Sequence, residues 1–274
     1  MIFQGEKMFD ASFDIFANNY DDVRPGYPKE MYEDIAKICN LGKSSSVIEI
    51  GAGSGIATVE LAKTGCKIIG IEPGSNLVAI AKEKTKDYPN VKIVEAMFEN
   101  YESSDKFDCL IALTSFHWIS EQAKYKKAYD LLNQSGHFVI VWNSFFQSTG
   151  DATKEVNSLY YEMLPDIYPK ENNNVNLGVF SKLNGRESEI VGSGMFYLNF
   201  LRKYVTAYNY DKETYPMLLN TFPKIIKVEK ERREKFLKKV GEIVEKHGKL
   251  SVPVLTTLLI TKKKDVFLDE IGKI

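Results

Sequence analysis

The sequence predicts an α/β fold in which a largely parallel sheet carries helices on both faces. Three observations support this. Five short strands are apolar on both faces, helical patterns lie between them, and a glycine-rich turn ends the first strand. A parallel sheet covered on both sides buries both faces, so its strands read as continuous apolar runs instead of alternating ones.

Taken in order, Pro28 suits a first helical position, and Met31, Tyr32, Ile35, Ile38 and Cys39 recur with helical period before Gly42. VIEI (47–50) is the first strand, and a helix is expected over 54–63. KIIGIE (67–72) follows, then a helix with Leu77, Ile80, Ala81 and Lys84 on one face. VKIVE (91–95), FDCLIAL (107–113) and FVIVW (138–142) complete the set, with a helix around 121–133 before the last. Beyond Trp142 the rhythm changes. A helix is expected over 151–164, then a polar loop, PKENNNVNLG, a strand over 196–208 and another over 251–263. Between those strands a basic amphipathic segment (224–249) places Phe236, Leu237, Val240, Ile243, Val244 and His247 on one face. The expected organisation is one domain. Residues 1–143 form a cofactor-binding core, 144–200 an insertion or lid over the active site, and 201–274 the closing strands and amphipathic helix.

Composition bounds the function. The 274 residues include 44% hydrophobic and 12% aromatic side chains, enough for a sizeable core and too apolar for a disordered chain. Lys+Arg number 36 against 37 Asp+Glu, a net charge of -1, which argues against a protein whose main work is gripping phosphates. Residues 224–249 hold ten basic and five acidic side chains, so a +5 segment hides inside that balance. Cys39, Cys66 and Cys109 form no C-x-x-C pair, and no Cys/His spacing suits zinc, so a reducing compartment is the default. With an acidic N-terminal stretch and no long apolar run, the expectation is a cytoplasmic protein that engages neither membrane nor nucleic acid.

The chemistry centres on Glu49-Ile50-Gly51-Ala52-Gly53-Ser54-Gly55, where a strand meets a helix. Glycines let the backbone turn tightly and approach a ligand closely, and the helix start offers free N–H groups. Glu72 ends the next strand, where a carboxylate can accept both hydroxyls of a ribose. Dinucleotides and S-adenosyl-L-methionine (SAM) both use such an arrangement. Ile56 stands where a dinucleotide turn wants its third glycine, and Glu49 could serve the amino-acid end of SAM, directly or through water. The balance favours SAM without excluding an NAD(P)-dependent oxidoreductase.

VIEIGAGSGIAT (47–58), GIEPG (70–74), NVKIVEAMFENYE (90–102), FDCLIALTSFHWI (107–119) and LLNQSGHFVIVWN (131–143) together resemble the class I SAM-dependent methyltransferases. Within them the sequence is similar to the small-molecule branch of trans-aconitate and ubiquinone/menaquinone-type enzymes. The resemblance implies a Rossmann-like fold with a seven-stranded mixed sheet whose last strands are antiparallel. It implies SAM held by Glu49, Gly51, Gly53, Gly55, Glu72, Pro73 and Thr114. The leader FDIFANNYDDVRPGYP (13–28) is similar to a segment covering the cofactor, which makes Tyr20 and Arg24 candidates for its methionine end, Arg24 through a bidentate grip on the carboxylate. Where the family often carries an Asp for the adenine, this sequence has Glu95-Ala96-Met97-Phe98, so Met97 and Phe98 are the expected sandwich for the ring.

His117 follows the fourth strand at the carboxyl edge where ligands of open α/β sheets bind, making it the candidate general base or acceptor contact. His137 reads as structural and His247 as a partner of its helix's C-terminus. The chain has no Asn/Asp-Pro-Pro-aromatic turn after the fourth strand and no Pro-Cys pair. Amino-group methylation of bases or glutamine and carbon methylation of cytosine are thereby disfavoured. The expected acceptor is a small molecule, with Trp142, Phe145, Phe146, Tyr160 and Tyr161 as candidate pocket aromatics and a monomer or homodimer as the assembly. A SAM-binding protein without catalysis stays open as an alternative, because methyl transfer asks little of side chains.

Overall fold

A computed structural model describes residues 23–120, 124–145, 150–169 and 183–265. Tyr20 and Phe146, both named above as candidates, lie outside them. The described chain builds a seven-stranded sheet in the order β3-β2-β1-β4-β5-β7-β6. Strands β1 (Ser46–Ile50), β2 (Lys67–Glu72), β3 (Val91–Glu95), β4 (Phe107–Leu113) and β5 (Leu132–Phe145) run parallel. β7 (Leu250–Lys263) lies antiparallel between β5 and β6 (Phe196–Tyr210). This is the mixed sheet that the sequence predicts.

Helix α1 (Lys29–Ile38) precedes β1, and α2 (Ile56–Ala62), α3 (Ser75–Thr85) and α4 (Lys124–Leu131) lie between parallel strands. One face of the sheet packs Met31 and Ile35 of α1 and Leu61 of α2 on Val47, Ile111, Val139 and Ile260. The other packs Ala128 and Leu131 of α4 on Leu110, Phe138 and Ile140. Both faces of the central strands are therefore dry, which accounts for their continuous apolar spelling.

Several boundaries move for local reasons. Helix α2 starts at Ile56, not 54, because Gly55 precedes it in a left-handed conformation. Pro28 caps α1 from outside the helix instead of opening it. Helix α4 stops at Leu131, and β5 is far longer than 138–142. Its additional residues pair at Leu132 with Phe107 of β4 and at 143–145 with β7. The basic segment 224–249 divides into α8 (Pro223–Ile226) and α9 (Lys230–His247), because Glu229 caps α9 by accepting the Glu231 and Arg232 N–H groups. Short helices α6 (Leu183–Gly192) and α7 (Thr214–Leu219) were not anticipated; α7 carries Pro216 and is too short to show a period.

Helix α5 (Asp151–Met163) packs with α7–α9 in a second core that includes Val156, Tyr160, Leu218, Phe236, Val240 and Val244. Along its rim, Asp166 pairs with Arg232, Glu162 with Lys239 (3.7 Å) and Glu155 with Lys246 (2.9 Å) and His247 (2.9 Å). Arg232, Lys239 and Lys246 recur every seven residues, so one stripe of α9 meets the acids of α5 and the turn after it. His247 thus closes its helix through Glu155, next to Gly248.

Candidate active site

The sheet's carboxyl edge is assembled by register. Ile50 of β1 lies beside Ile71 of β2 and Ala112 of β4, and Glu72 lies beside Glu95 of β3. The glycine turn therefore emerges between the ends of β2 and β4, where the reversal of strand order opens a crevice.

All three glycines of the turn have positive φ: +71° at Gly51, +57° at Gly53 and +85° at Gly55. Their surroundings differ. A Cβ on Gly51 would stand 2.5 Å from Ser115 Cβ, and one on Gly55 would stand 3.1 Å from Ala81 Cα. A Cβ on Gly53 would meet nothing within 4 Å. Gly51 and Gly55 are thus fixed by the protein's own packing. Gly53 faces open space, as a residue under which a ligand lies should.

Glu72 is buried and its carboxylate is turned to this loop. Oε2 accepts from Gly53 N–H (2.9 Å) and Oε1 from Gly74 N–H (3.0 Å). These two bonds fix the carboxylate at the mouth of the glycine turn, at the end of β2. Pro73 is half-buried between Glu72 and Gly74. Glu49 is only 1% exposed and accepts from Thr58 Oγ1 (2.6 Å). Burial pushes its pKa up to about 8, the Thr58 bond opposes the rise, and the charge of Glu72 adds to it. Burial thus favours the protonated form of Glu49 near neutral pH.

Beyond β3, Phe98 is buried in the core beside Ile48, Ile71 and Phe116, while Met97 is half-buried. At the end of β4, Thr114 has φ +53°, a conformation that β-branched residues rarely adopt. Its Oγ1 lies 2.9 Å from Tyr27 Oη and accepts from Asn143 N–H (3.4 Å). Ser115 donates to Ile50 O, holding the start of the 3₁₀ turn Phe116–Trp118 against the end of β1. His117 is half-buried on that turn, its ring 4.9 Å from that of Trp118. His137 lies in β5, its pKa lowered by burial and by Lys262.

Arg24 takes a different direction. Its Nε donates to Thr221 Oγ1 (2.8 Å) and Nη2 to Thr221 O (2.9 Å), and the guanidinium lies 4.7 Å over the Phe222 ring. Trp142, Phe145 and Tyr160, read from the sequence as pocket aromatics, are at most 4% exposed and belong to the packed cores. Tyr161 is half-buried against the second core. Tyr27, Ser115 and Asn143 escaped the sequence reading. The available signal is polarity out of place: Asn143 ending the apolar run FVIVW, Ser115 just past the run FDCLIAL, and Tyr27 in a Pro-Gly turn.

Among the described residues no group of His, Cys, Asp or Glu is arranged to hold a metal ion, and no helix is long and apolar enough to cross a membrane. A sequence model of a methyltransferase domain matches residues 47–136. A Dictyostelium discoideum protein named as a methyltransferase is 32% identical over 163 residues, 58% of this chain and 60% of that protein, so less than two thirds of its length is spanned. An uncharacterized methyltransferase of Alkaliphilus oremlandii is 31% identical over 176 residues, 58% of this chain and 80% of that one. A SAM-dependent methyltransferase from Geobacter sulfurreducens, solved with S-adenosyl-L-homocysteine, superposes with a TM-score of 0.56 at 13% identity, over 94% of this chain and 99% of that one. That last likeness is one of fold alone. With the crevice, the glycine turn and relatives of this coverage in agreement, the chain belongs to the class I SAM-dependent methyltransferases.

Proposed function

We propose that this methyltransferase acts on a small-molecule acceptor, and that its cofactor lies over Gly53 between Glu49 and Glu72. One observation carries the cofactor position: Gly53 has positive φ with open space beyond it, and its N–H is bonded to the carboxylate of Glu72. In this reading Glu72, at the end of the second strand, takes the ribose hydroxyls. Glu49 ionises to meet the ammonium end. Pro73 and Met97 border the adenine, Phe98 supports Met97 from the core, and Thr114 flanks the methionine end. Arg24, held by Thr221, acts by fastening the strap of residues 24–28.

Bound SAM supplies a methyl group on an already activated sulfonium, so transfer is an in-line displacement that asks for alignment and exclusion of water. The protein's part is positional. The turn 115–118 brings His117 to the same edge, where its imidazole would take a proton from an acceptor N–H or O–H. Helix α5 and the helices packed on it form the wall on the acceptor side. The small-molecule reading is supported by the absent base-methylation motifs and by the ion pairs of α9, which spend Arg232, Lys239 and Lys246 on acids of this chain.

Calorimetry with SAM, S-adenosylhomocysteine and NADH tests the cofactor, and NADH binding without S-adenosylhomocysteine binding would sink the proposal. Glu72→Ala should weaken S-adenosylhomocysteine at least tenfold, about 1.4 kcal/mol or more; unchanged affinity would refute the ribose assignment. A screen of carboxylates, amines, phenols and quinone precursors then identifies the acceptor. On it, His117→Gln should lose turnover while keeping S-adenosylhomocysteine affinity, and a variant with full turnover would remove His117 as the base.

A further inference from the structure

We infer that Asn143 is a positioning residue that couples the strap of residues 24–28 to the glycine turn. It works through Thr114 and Ser115, and the inference rests on the cofactor position proposed above. The carrying observation is a single buried amide satisfied on every side. Asn143 Nδ2 donates to Pro25 O (3.3 Å) and Gly26 O (3.0 Å), while Oδ1 accepts from Thr256 Oγ1 (2.6 Å). Its backbone N–H reaches Thr114 Oγ1 (3.4 Å), and the strap returns to the same oxygen through Tyr27 Oη (2.9 Å). The two strap carbonyls only accept, so they fix which end of the amide faces them. β4, β5, β7 and the strap thus meet at one residue, at the sheet edge where the candidate site lies.

Thr114 is where this meeting becomes consequential. A left-handed β-branched residue is held against its preference, and such positions persist only where the surroundings determine them. Here Tyr27 and Asn143 grip the side-chain oxygen, and the Thr114 N–H donates to Val141 O (2.8 Å). The resulting twist sends Ser115 onto Gly51, where there is no room for a Cβ, and lets Ser115 Oγ donate to Ile50 O. Loosening the strap should therefore be felt at the glycine turn and at the turn bearing His117, although Asn143 touches neither.

The chain has two tryptophans, Trp118 on that turn and Trp142 beside Asn143. In a Trp142→Phe background, Trp118 emission and its quenching by acrylamide report the 115–118 turn alone. Two variants are compared there. Asn143→Asp keeps shape but turns a carboxylate oxygen on Pro25 O and Gly26 O, and Tyr27→Phe removes one hydroxyl. Both should red-shift Trp118, increase its quenching and weaken S-adenosylhomocysteine roughly tenfold, while far-UV circular dichroism stays as in the parent. Unchanged Trp118 signals and affinity in folded variants would overturn the inference, as would weakened folding with an unmoved Trp118. If Asn143→Asp does not fold, Tyr27→Phe decides alone by the same two signals. Failure of the parent itself to bind S-adenosylhomocysteine would count against the cofactor site, and the Trp118 comparison would still judge the coupling.

Discussion

The glycine-turn edge of the sheet and the α5–α9 helix pair solve opposite problems. At the edge, three glycines and a threonine stand at positive φ, and two carboxylates are buried. Each arrangement costs stability and is over-determined by neighbours: Ser115 and Ala81 on the glycines, N–H donors on Glu72, Tyr27 and Asn143 on Thr114. In the helix pair no residue stands at positive φ, the apolar stripe of Phe236, Val240 and Val244 is buried, and Arg232, Lys239 and Lys246 are paired on the outside. Strain and buried charge collect where a ligand is to be met; redundancy collects where the structure has only to hold.

That contrast can be broken experimentally. The largest effect should come from Gly51→Ala, whose Cβ would collide with Ser115; a loss of about 3 kcal/mol or more is expected in denaturant unfolding. Gly53→Ala, at a similar φ but with open space around it, should cost only about 1–2 kcal/mol of backbone strain yet abolish S-adenosylhomocysteine binding. If both variants lose stability alike, the two glycines do not divide between packing and ligand.

Next comes Glu49. Its folded pKa of about 8 exceeds the ordinary glutamate value, so its contribution to stability is full below that ordinary value and lost as pH rises towards 8. Glu49→Gln should flatten this part of the stability profile. With the wild type near pH 7, binding of SAM should release close to one proton, read as a dependence of calorimetric heat on buffer ionisation enthalpy; no such dependence would separate Glu49 from the ammonium.

The smallest effect belongs to the ion pairs. Lys239→Ala should leave the denaturant midpoint near that of the wild type at about 0.15 M salt, because exposed pairs are weak and screened. Glu155 is held below the usual carboxylate range by hydrogen bonds to Lys246 and His247, and Asp166 by its bond to Arg232. Their contribution is therefore present at neutral pH and lost only on acidification through those lowered values. A large drop at neutral pH in Lys239→Ala would mean that the ladder, and not the apolar stripe, holds the helices.

The parallel half was legible because its strands are uniformly apolar and its turn is spelled in glycine, both local signals. The edge network was not. Asn143 looks like an ordinary strand end, and only the meeting of residues 25, 26, 114 and 256 around it reveals its function. The +5 segment is opaque in another way: its charge alone names no partner, and those it meets, Glu155, Glu162 and Asp166, lie some seventy to ninety residues upstream. The aromatics in and after β5 were legible as a group, but periodicity cannot distinguish a pocket wall from a core. Arg24 is expected from the sequence at the cofactor's carboxylate; its seat on Thr221 depends on helices that the sequence pattern does not disclose.

The strand order also sets a timetable. β6 is made before β7 yet, among the described strands, pairs only with β7, and β7 joins it to β5. As the chain leaves the ribosome, the five parallel strands and their helices can already pair among themselves. β6, however, waits with both edges bare until residues 250–263 have been synthesised. Newly made chains should thus pass through a stage with a formed cofactor crevice and an unclosed sheet edge, which is when a chaperone or a second nascent copy would find them.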